Sequence, residues 1–120
     1  ALLDARKGLK MFEKVSIPIL GIIENMSIHI CSKCSHAEHI FGEGGGERMC
    51  SDYNVPFLGS LPLDIRIREQ TDAGSPTVVT EPNGAIAEVY RAIARKLAIS
   101  IAAKQRDMRF KFPNIVVENT

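Results

Sequence analysis

The chain has 120 residues, which is enough for one small domain with a single hydrophobic core. Its 15 basic and 14 acidic residues leave a net charge of +1, so no long-range field favours nucleic acid or a membrane surface as a partner. No stretch approaches the ~20 apolar residues of a membrane span, and the first residues lack a signal-peptide layout. With three cysteines and no secretory signal, we expect a cytoplasmic protein with reduced thiols.

The first half of the chain predicts a helix, a buried strand and a long polar loop. Apolar side chains recur on one face of residues 2–13, as in a helix. Residues 15–23 are almost continuously apolar and β-branched, which is typical of a strand buried on both faces of a parallel sheet, and Pro18 marks its start. Residues 24–46 are polar and irregular, and their last glycines allow a tight turn into a short helix over residues 46–53.

The next segments predict another strand and a crossover helix. Residues 55–61 read as a short buried strand. Residues 63–72 alternate like a strand, but Asp64 after a proline can cap a helix, and we favour the helix because parallel strands need a crossover. Residues 77–80 predict a short strand or extended segment.

The last helix has the clearest pattern. Asn83 is a suitable N-cap in the turn before it. The helix is predicted over residues 84–104, and from Met108 the helical period is lost. One apolar stripe runs along the helix: Ile86, Val89, Tyr90, Ile93, Leu97 and Ile101.

The predicted elements together define the organisation of the chain. We expect an α/β domain over residues 1–104, including a metal loop at 26–46, and a tail over residues 105–120.

Cys31 and Cys34 are the main candidate metal ligands, since the spacing Cys-x-x-Cys lets two thiolates reach one metal from a tight turn. A redox dithiol normally opens a helix after a strand, which this loop does not. A zinc site needs four ligands, and His36 and His39 could complete it only with unusually tight spacing. An iron–sulfur cluster also needs about four thiolates, which two chains related by a two-fold axis would supply.

The remaining candidates carry less information. Cys50 lies in a predicted helix and is interpreted as a packing residue, and His29 is a loop histidine like the two above. The glycine run before the short helix lacks the Gly-Lys-Ser/Thr ending of a Walker A motif, which occurs nowhere in the chain. Asn25 follows the first buried strand, where its amide could pair with a purine edge or simply form a turn.

Several motifs occur together in one order: KGLKMF (7–12), PILG (18–21), ENMS (24–27), CSKC (31–34), FGEGG (41–45), PFLG (56–59), LPL (61–63) and DAGSP (72–76). As a set they resemble the C-terminal part of the Mrp (ApbC) family, which comprises iron–sulfur cluster carrier ATPases of the P-loop type. The similarity runs from residue 1 to about residue 100.

The resemblance implies a homodimer that holds a labile [4Fe–4S] cluster between the Cys-x-x-Cys motifs of its two chains. It further implies transfer of the cluster to apo iron–sulfur proteins, with ATP and magnesium used by the full-length protein. Cys31 and Cys34 match the cluster cysteines. Asn25 matches the residue that reads adenine in related ATPases, and Pro62 lies in the segment that lines the base. Zinc is the alternative metal in purified protein.

One departure from the family pattern limits what is expected of this chain. The family's P-loop, catalytic lysines and magnesium-binding acidic residues are absent from the sequence, which opens without Met on a helical pattern. The chain is therefore expected to be the C-terminal part of a P-loop NTPase-type parallel sheet with flanking helices. Although full-length members hydrolyse ATP, this chain alone should not, and it should expose a strand edge and apolar surface.

Overall fold

A computed structural model describes residues 1–111 of the chain, with side chains described through residue 106. The tail beyond residue 111 lies outside the described part, so the expectation for it is not tested there. Helices and strands alternate, which confirms the α/β class. In chain order the elements are α1 (Leu2–Lys14), β1 (Ile22–Glu24), β2 (His29–Ile30), β3 (Ala37–Glu38), α2 (Gly45–Tyr53), β4 (Phe57–Ser60), α3 (Ile65–Asp72), α4 (Thr77–Thr80) and α5 (Ala85–Lys111).

Strands β1 and β4 form a parallel pair, with α2 in the connection between them. Ile22 lies opposite Phe57 and Glu24 opposite Ser60, with one irregularity after Ile22. The backbone N–H of Leu61 donates to Glu24 O at 2.8 Å, which continues the ladder beyond the end of β4. The parallel sheet expected from the sequence is therefore present, and the carboxyl ends of its two strands lie side by side.

The core lies between β4 and α5. Leu58, Leu61 and Ile93 form its buried cluster, with 4%, 8% and 6% of their surfaces exposed. Val89 and Leu97 of α5 pack against this cluster. The apolar stripe predicted for the last helix therefore faces the sheet as far as Leu97, whereas Ile101 at its end is 40% exposed. Full burial of a large apolar side chain such as Ile93 contributes about 1.5–3 kcal/mol.

Helix α2 packs closely against β1 through Gly46. The Glu24 carboxylate accepts a hydrogen bond from the Gly46 N–H at 3.0 Å. A Cβ atom on residue 46 would lie 2.7 Å from Glu24 Oε2 and 3.1 Å from Phe57 Cε2. A larger residue here would therefore displace the Glu24 carboxylate from its bond to the helix and crowd the Phe57 ring. Gly44, at the N-cap, has φ +71°, so it supplies the tight turn expected of the glycine run.

The strand predicted over residues 15–23 is wrong in its length and its burial. Only Ile22–Glu24 is a strand, and Ile23 is 43% exposed. The ladder starts where the Ile22 N–H donates to Pro56 O. Further upstream, Ser16 has a left-handed φ of +60° and the Ile17 N–H donates to Phe12 O, so these residues close the end of α1 and do not enter the sheet. Within the described residues β1 pairs only with β4, so its other edge is open.

Two further local predictions are wrong. Residues 77–80 form the short helix α4 instead of a strand, because the Pro76 carbonyl accepts from the N–H groups of Val79 and Thr80 at 2.8 and 3.0 Å. Gly84, not Asn83, holds the N-cap position of α5, since its carbonyl accepts from the Glu88 N–H. Local hydrogen bonds therefore override the extended preference of the β-branched run.

Helix α5 also continues to Lys111, past the predicted end at residue 104 and past Met108. By contrast, α1, α2 and α3 match their predicted ranges within about one or two residues.

Substitution of Asp64 should show that α3 depends on its cap. The Asp64 carboxylate accepts from the Arg66 N–H at 2.9 Å and from the Arg66 guanidinium at 2.8 Å. We expect Asp64→Ala to lower the free energy of unfolding by about 1 kcal/mol, and Asp64→Asn, which keeps the cap acceptor, to lose less. Urea denaturation measures both, and equal losses would contradict the capping role.

The advantage of Asp64 over Asn should depend on pH. The Arg66 side chain holds the pKa of the Asp64 carboxyl below its ordinary value. A lowered folded-state pKa stabilises the fold above the unfolded pKa of about 3.9, and this contribution is lost as the pH falls through the folded pKa. The difference in the free energy of unfolding between wild type and Asp64→Asn should therefore be constant near pH 7 and shrink below about pH 4. Urea denaturation of both proteins across this pH range measures it.

Candidate metal centre

The two motif cysteines lie in the turn of a short β-hairpin. Strands β2 and β3 pair antiparallel, with His29 opposite Glu38 and Ile30 opposite Ala37. The Cys31 N–H donates to the carbonyl oxygen of His36 at 2.9 Å, and the Cys31 carbonyl accepts from the Ser35 N–H at 2.8 Å. The loop expected to be irregular thus contains ordered secondary structure, which holds both cysteines in one closed turn.

The base of this hairpin is bound to the carboxyl end of the sheet. The Ser27 N–H donates to Leu61 O at 2.9 Å, and the Leu63 N–H donates to Ile28 O at 2.8 Å. His29 and Leu63 form a parallel bridge beside them. The segment entering β2 is therefore clamped on both sides of Pro62, and the hairpin projects from the end of the two paired strands.

The environment of Cys31 favours its thiolate. The backbone N–H of Cys34, then that of Lys33 and the Cys34 thiol, hold the pKa of Cys31 below its ordinary value. Cys31 is half-buried and Cys34 is exposed, and neither forms a disulfide. Because the thiolate is the form that binds metals, the lowered pKa makes Cys31 a suitable candidate ligand.

The histidines do not complete a four-ligand site with these thiols. Nδ1 of His39 lies 2.8 Å from the Ser27 carbonyl oxygen, so that nitrogen donates to the backbone. Nε2 of His36 lies 3.8 Å from the Glu38 carboxylate. Through the described residues, no cluster of three or more Cys, His, Asp or Glu side chains is arranged to hold a metal ion. One chain therefore offers two thiolates.

Cys50 lies apart from the motif, in α2, and only 8% of its surface is exposed. Burial raises the pKa of its thiol, and the nearby Glu47 carboxylate raises it further. A buried thiol with a raised pKa is a poor ligand and a poor nucleophile. The structure therefore fits the interpretation of Cys50 as a packing residue.

Asn25 and Pro62 follow the paired strands β1 and β4, so both lie at the same end of the sheet. Asn25 is exposed, and its Oδ1 accepts from the Met26 N–H at 2.9 Å, which is the geometry of a turn residue. It borders a cleft of about 260 Å³, whereas Pro62 borders a separate cleft of about 670 Å³ that also includes Cys31. Asn25 and Pro62 therefore lie at the same edge of the sheet but line different clefts.

Sequence reasoning missed the contacts of two residues that shape this region. Glu24, the last residue of β1, binds the N-terminus of α2, and its place at the end of a predicted strand was the available signal. His39, considered from the sequence as a metal ligand, binds the Ser27 carbonyl across 12 residues, and no local pattern indicates such a contact.

A family model described as a NUBPL iron-transfer P-loop NTPase matches residues 1–98. The chain belongs to this family. The membership agrees with the resemblance drawn from its motifs. The family's P-loop architecture also fits the parallel strands and flanking helices seen here, and the Cys-x-x-Cys hairpin lies within the matched range. Among the described residues, no helix combines the length and apolar character needed to cross a bilayer.

Relatives in the family carry related names. An iron-sulfur cluster carrier protein of Pseudomonas fragi is 60% identical over 94 residues, which cover 78% of this chain and 33% of that protein. A protein of the same name from Escherichia coli strain K12 is 50% identical over 101 residues, covering 84% and 27%. The iron-sulfur cluster transfer protein NUBPL of Mus musculus is 42% identical over 97 residues, covering 81% and 30%.

A solved structure supports the fold. The nucleotide-binding protein of Archaeoglobus fulgidus in complex with ADP has a TM-score of 0.53 and 28% identity, covering 70% of this chain and 33% of that one. Like the curated relatives, it is much longer than the matched region. The chain spans roughly a third of the length of the relatives it matches.

Alkylation should separate the motif thiols from Cys50. At pH 7 we expect iodoacetamide to modify Cys31 and Cys34 first and Cys50 about tenfold or more slowly, because burial hinders access and disfavours its thiolate. Mass spectrometry of peptides from a time course measures this order. In urea the three rates should converge, and rapid labelling of Cys50 in native protein would contradict its buried position.

Proposed function

We propose that this chain is the cluster-holding part of an iron–sulfur cluster carrier. In this proposal two chains meet at their hairpins, and Cys31 and Cys34 of each chain together bind one [4Fe–4S] cluster. The observation that carries the proposal is the closed turn that holds two thiols within reach of solvent, while no third ligand joins them among the described residues of one chain. The names of the relatives support iron–sulfur cargo.

Transfer would proceed by ligand exchange with an apo iron–sulfur protein, which we place in the cytoplasm. A recipient cysteine gives up its proton as its sulfur binds an iron of the cluster. The leaving thiolate, Cys34 first because it is the more exposed, takes up a proton in turn. No electrons are exchanged, so the cluster keeps its oxidation state. Exposure of the turn permits this exchange, whereas a buried site would retain its metal.

Nucleotide would regulate the carrier in a longer protein that contains a P-loop. Asn25 and Pro62 are proposed to contact adenine, with ATP and magnesium held mainly by phosphate-binding residues that this sequence lacks. Two features support the proposal: both residues lie at the carboxyl end of parallel strands, and the Archaeoglobus fulgidus relative was solved with ADP. Pro62 lies within the backbone clamp at the hairpin base, so nucleotide could influence the metal centre through it.

Anaerobic reconstitution with iron and sulfide tests the metal assignment. The wild-type chain should take up about two irons per chain, since one four-iron cluster is shared by two chains, and should gain visible absorbance on reconstitution. Cys31→Ala and Cys34→Ala should each lose most of this iron. Iron and sulfide analysis, with mass measurement of the native complex, gives both quantities.

Cys50→Ala is the matched control for the cysteine variants, because it removes a thiol outside the hairpin and should retain full cluster content. Full iron content in both motif variants would rule out the assignment. Stoichiometric zinc in protein purified without oxygen, with no iron or sulfide, would instead favour a non-catalytic zinc module built from the same thiols.

ATP turnover provides a separate prediction. The 120-residue chain should release no phosphate from ATP above background, because without a P-loop lysine and its amide cradle the phosphates are not bound. Phosphate release with magnesium present measures this. Turnover that survives repeated purification would show that the chain contains a hydrolytic site elsewhere.

A further inference from the structure

One side-chain contact ties the far strand of the hairpin to the sheet. His39 immediately follows β3, and its Nδ1 lies 2.8 Å from the carbonyl oxygen of Ser27, which precedes β2. Ser27 is itself buried, with 8% of its surface exposed, and its N–H donates to Leu61 O at the end of β4. The contact therefore joins His39 to a backbone segment that is already fixed to the sheet.

The chemistry of the contact sets the state of the imidazole ring. A carbonyl oxygen can only accept, so Nδ1 of His39 carries the proton. Nε2 lies 3.8 Å from the Glu43 carboxylate, beyond hydrogen-bond distance. The ring thus acts through one directed N–H group, and that donor is the property a substitution must keep or remove.

The hairpin needs such a tie because its own ladder is short. Only two residue pairs join β2 to β3, and a two-stranded ribbon of this size is marginal in water. The first strand is held by the bond from Leu63 N–H to Ile28 O and by the bridge at His29. Among the described contacts, the bond from His39 Nδ1 to the Ser27 carbonyl ties the end of β3 to the segment before β2.

We propose that His39 is a positioning residue of the metal centre. By closing the base of the hairpin it fixes the turn that carries Cys31 and Cys34 relative to the sheet, and so determines how long the cluster is retained. This inference rests on the proposed cluster-carrying function. It assigns His39 no contact with the metal.

Two amide substitutions separate the donor from the rest of the side chain. In His39→Asn the amide nitrogen stands one bond from Cγ, as Nδ1 does, so the bond to Ser27 can form. In His39→Gln the amide nitrogen stands one bond further out. His36→Gln is the matched control on the same hairpin, since the His36 side chain is 70% exposed.

The test measures the rate at which an iron chelator removes the reconstituted cluster from the full 120-residue chain. His39→Gln should lose the cluster about tenfold faster than wild type, the factor expected for loss of roughly one hydrogen bond. His39→Asn and His36→Gln should stay close to wild type. If His39→Gln matches wild type, or if His39→Asn is as fast as His39→Gln, the inference is wrong.

A second measurement does not need the cluster. Hydrogen exchange of the Cys31 N–H, which donates to the His36 carbonyl, reports closure of the hairpin in metal-free protein. Exchange of this N–H should be faster in His39→Gln than in His39→Asn. The urea concentrations at the midpoint of unfolding should be the same for the two variants. Equal exchange, or a lowered midpoint that accounts for the difference, would overturn the positioning role. A protein that takes up no cluster but shows this pattern would refute the proposed function alone.

Discussion

The parallel pairing of β1 with β4 is the constraint on which the rest of the structure depends. It brings the carboxyl ends of two strands together, and the hydrogen bonds from Leu61 N–H to Glu24 O and from Ser27 N–H to Leu61 O extend the pairing beyond both strands. The hairpin, Asn25 and Pro62 all start from this edge. Packing of α5 on Leu58 and Leu61 holds the pair from one face, and Leu61, whose carbonyl accepts from the Ser27 N–H, links this core to the base of the hairpin.

The candidate metal centre combines a firm base with an exposed tip. Its base is fixed by backbone bonds on both sides of Pro62 and by the His39 contact, whereas the Cys34 thiol at the tip is open to solvent. Such an arrangement would suit the proposed cluster cargo, since exchange needs access to the thiols while binding needs their positions fixed. Within the part of the chain that the structure describes, β1 has one open edge and α1 exposes several apolar side chains, and both lie outside the hairpin turn.

Much of the fold could be predicted where residue pattern and local chemistry agree. The stripe on α5 marked the buried face of the helix, and Asp64 marked the start of α3. Prediction failed in two β-branched runs, where the residue types favoured a strand but the chain adopted another conformation. Residues 77–80 form a helical turn because two N–H groups of the run donate to the Pro76 carbonyl. Most of residues 15–23 lie outside the strand, which begins only at Ile22.

The sequence by itself determined the family and the pair of thiols, because ordered motifs and the spacing of Cys31 and Cys34 are local properties of the chain. Only the tertiary structure decided that these thiols lie in a closed hairpin turn, that His39 contacts the Ser27 carbonyl, and that Asn25 and Pro62 border different clefts. These outcomes depend on contacts between residues far apart in the chain. Such contacts follow from how β1 and β4 pair, which no single segment encodes.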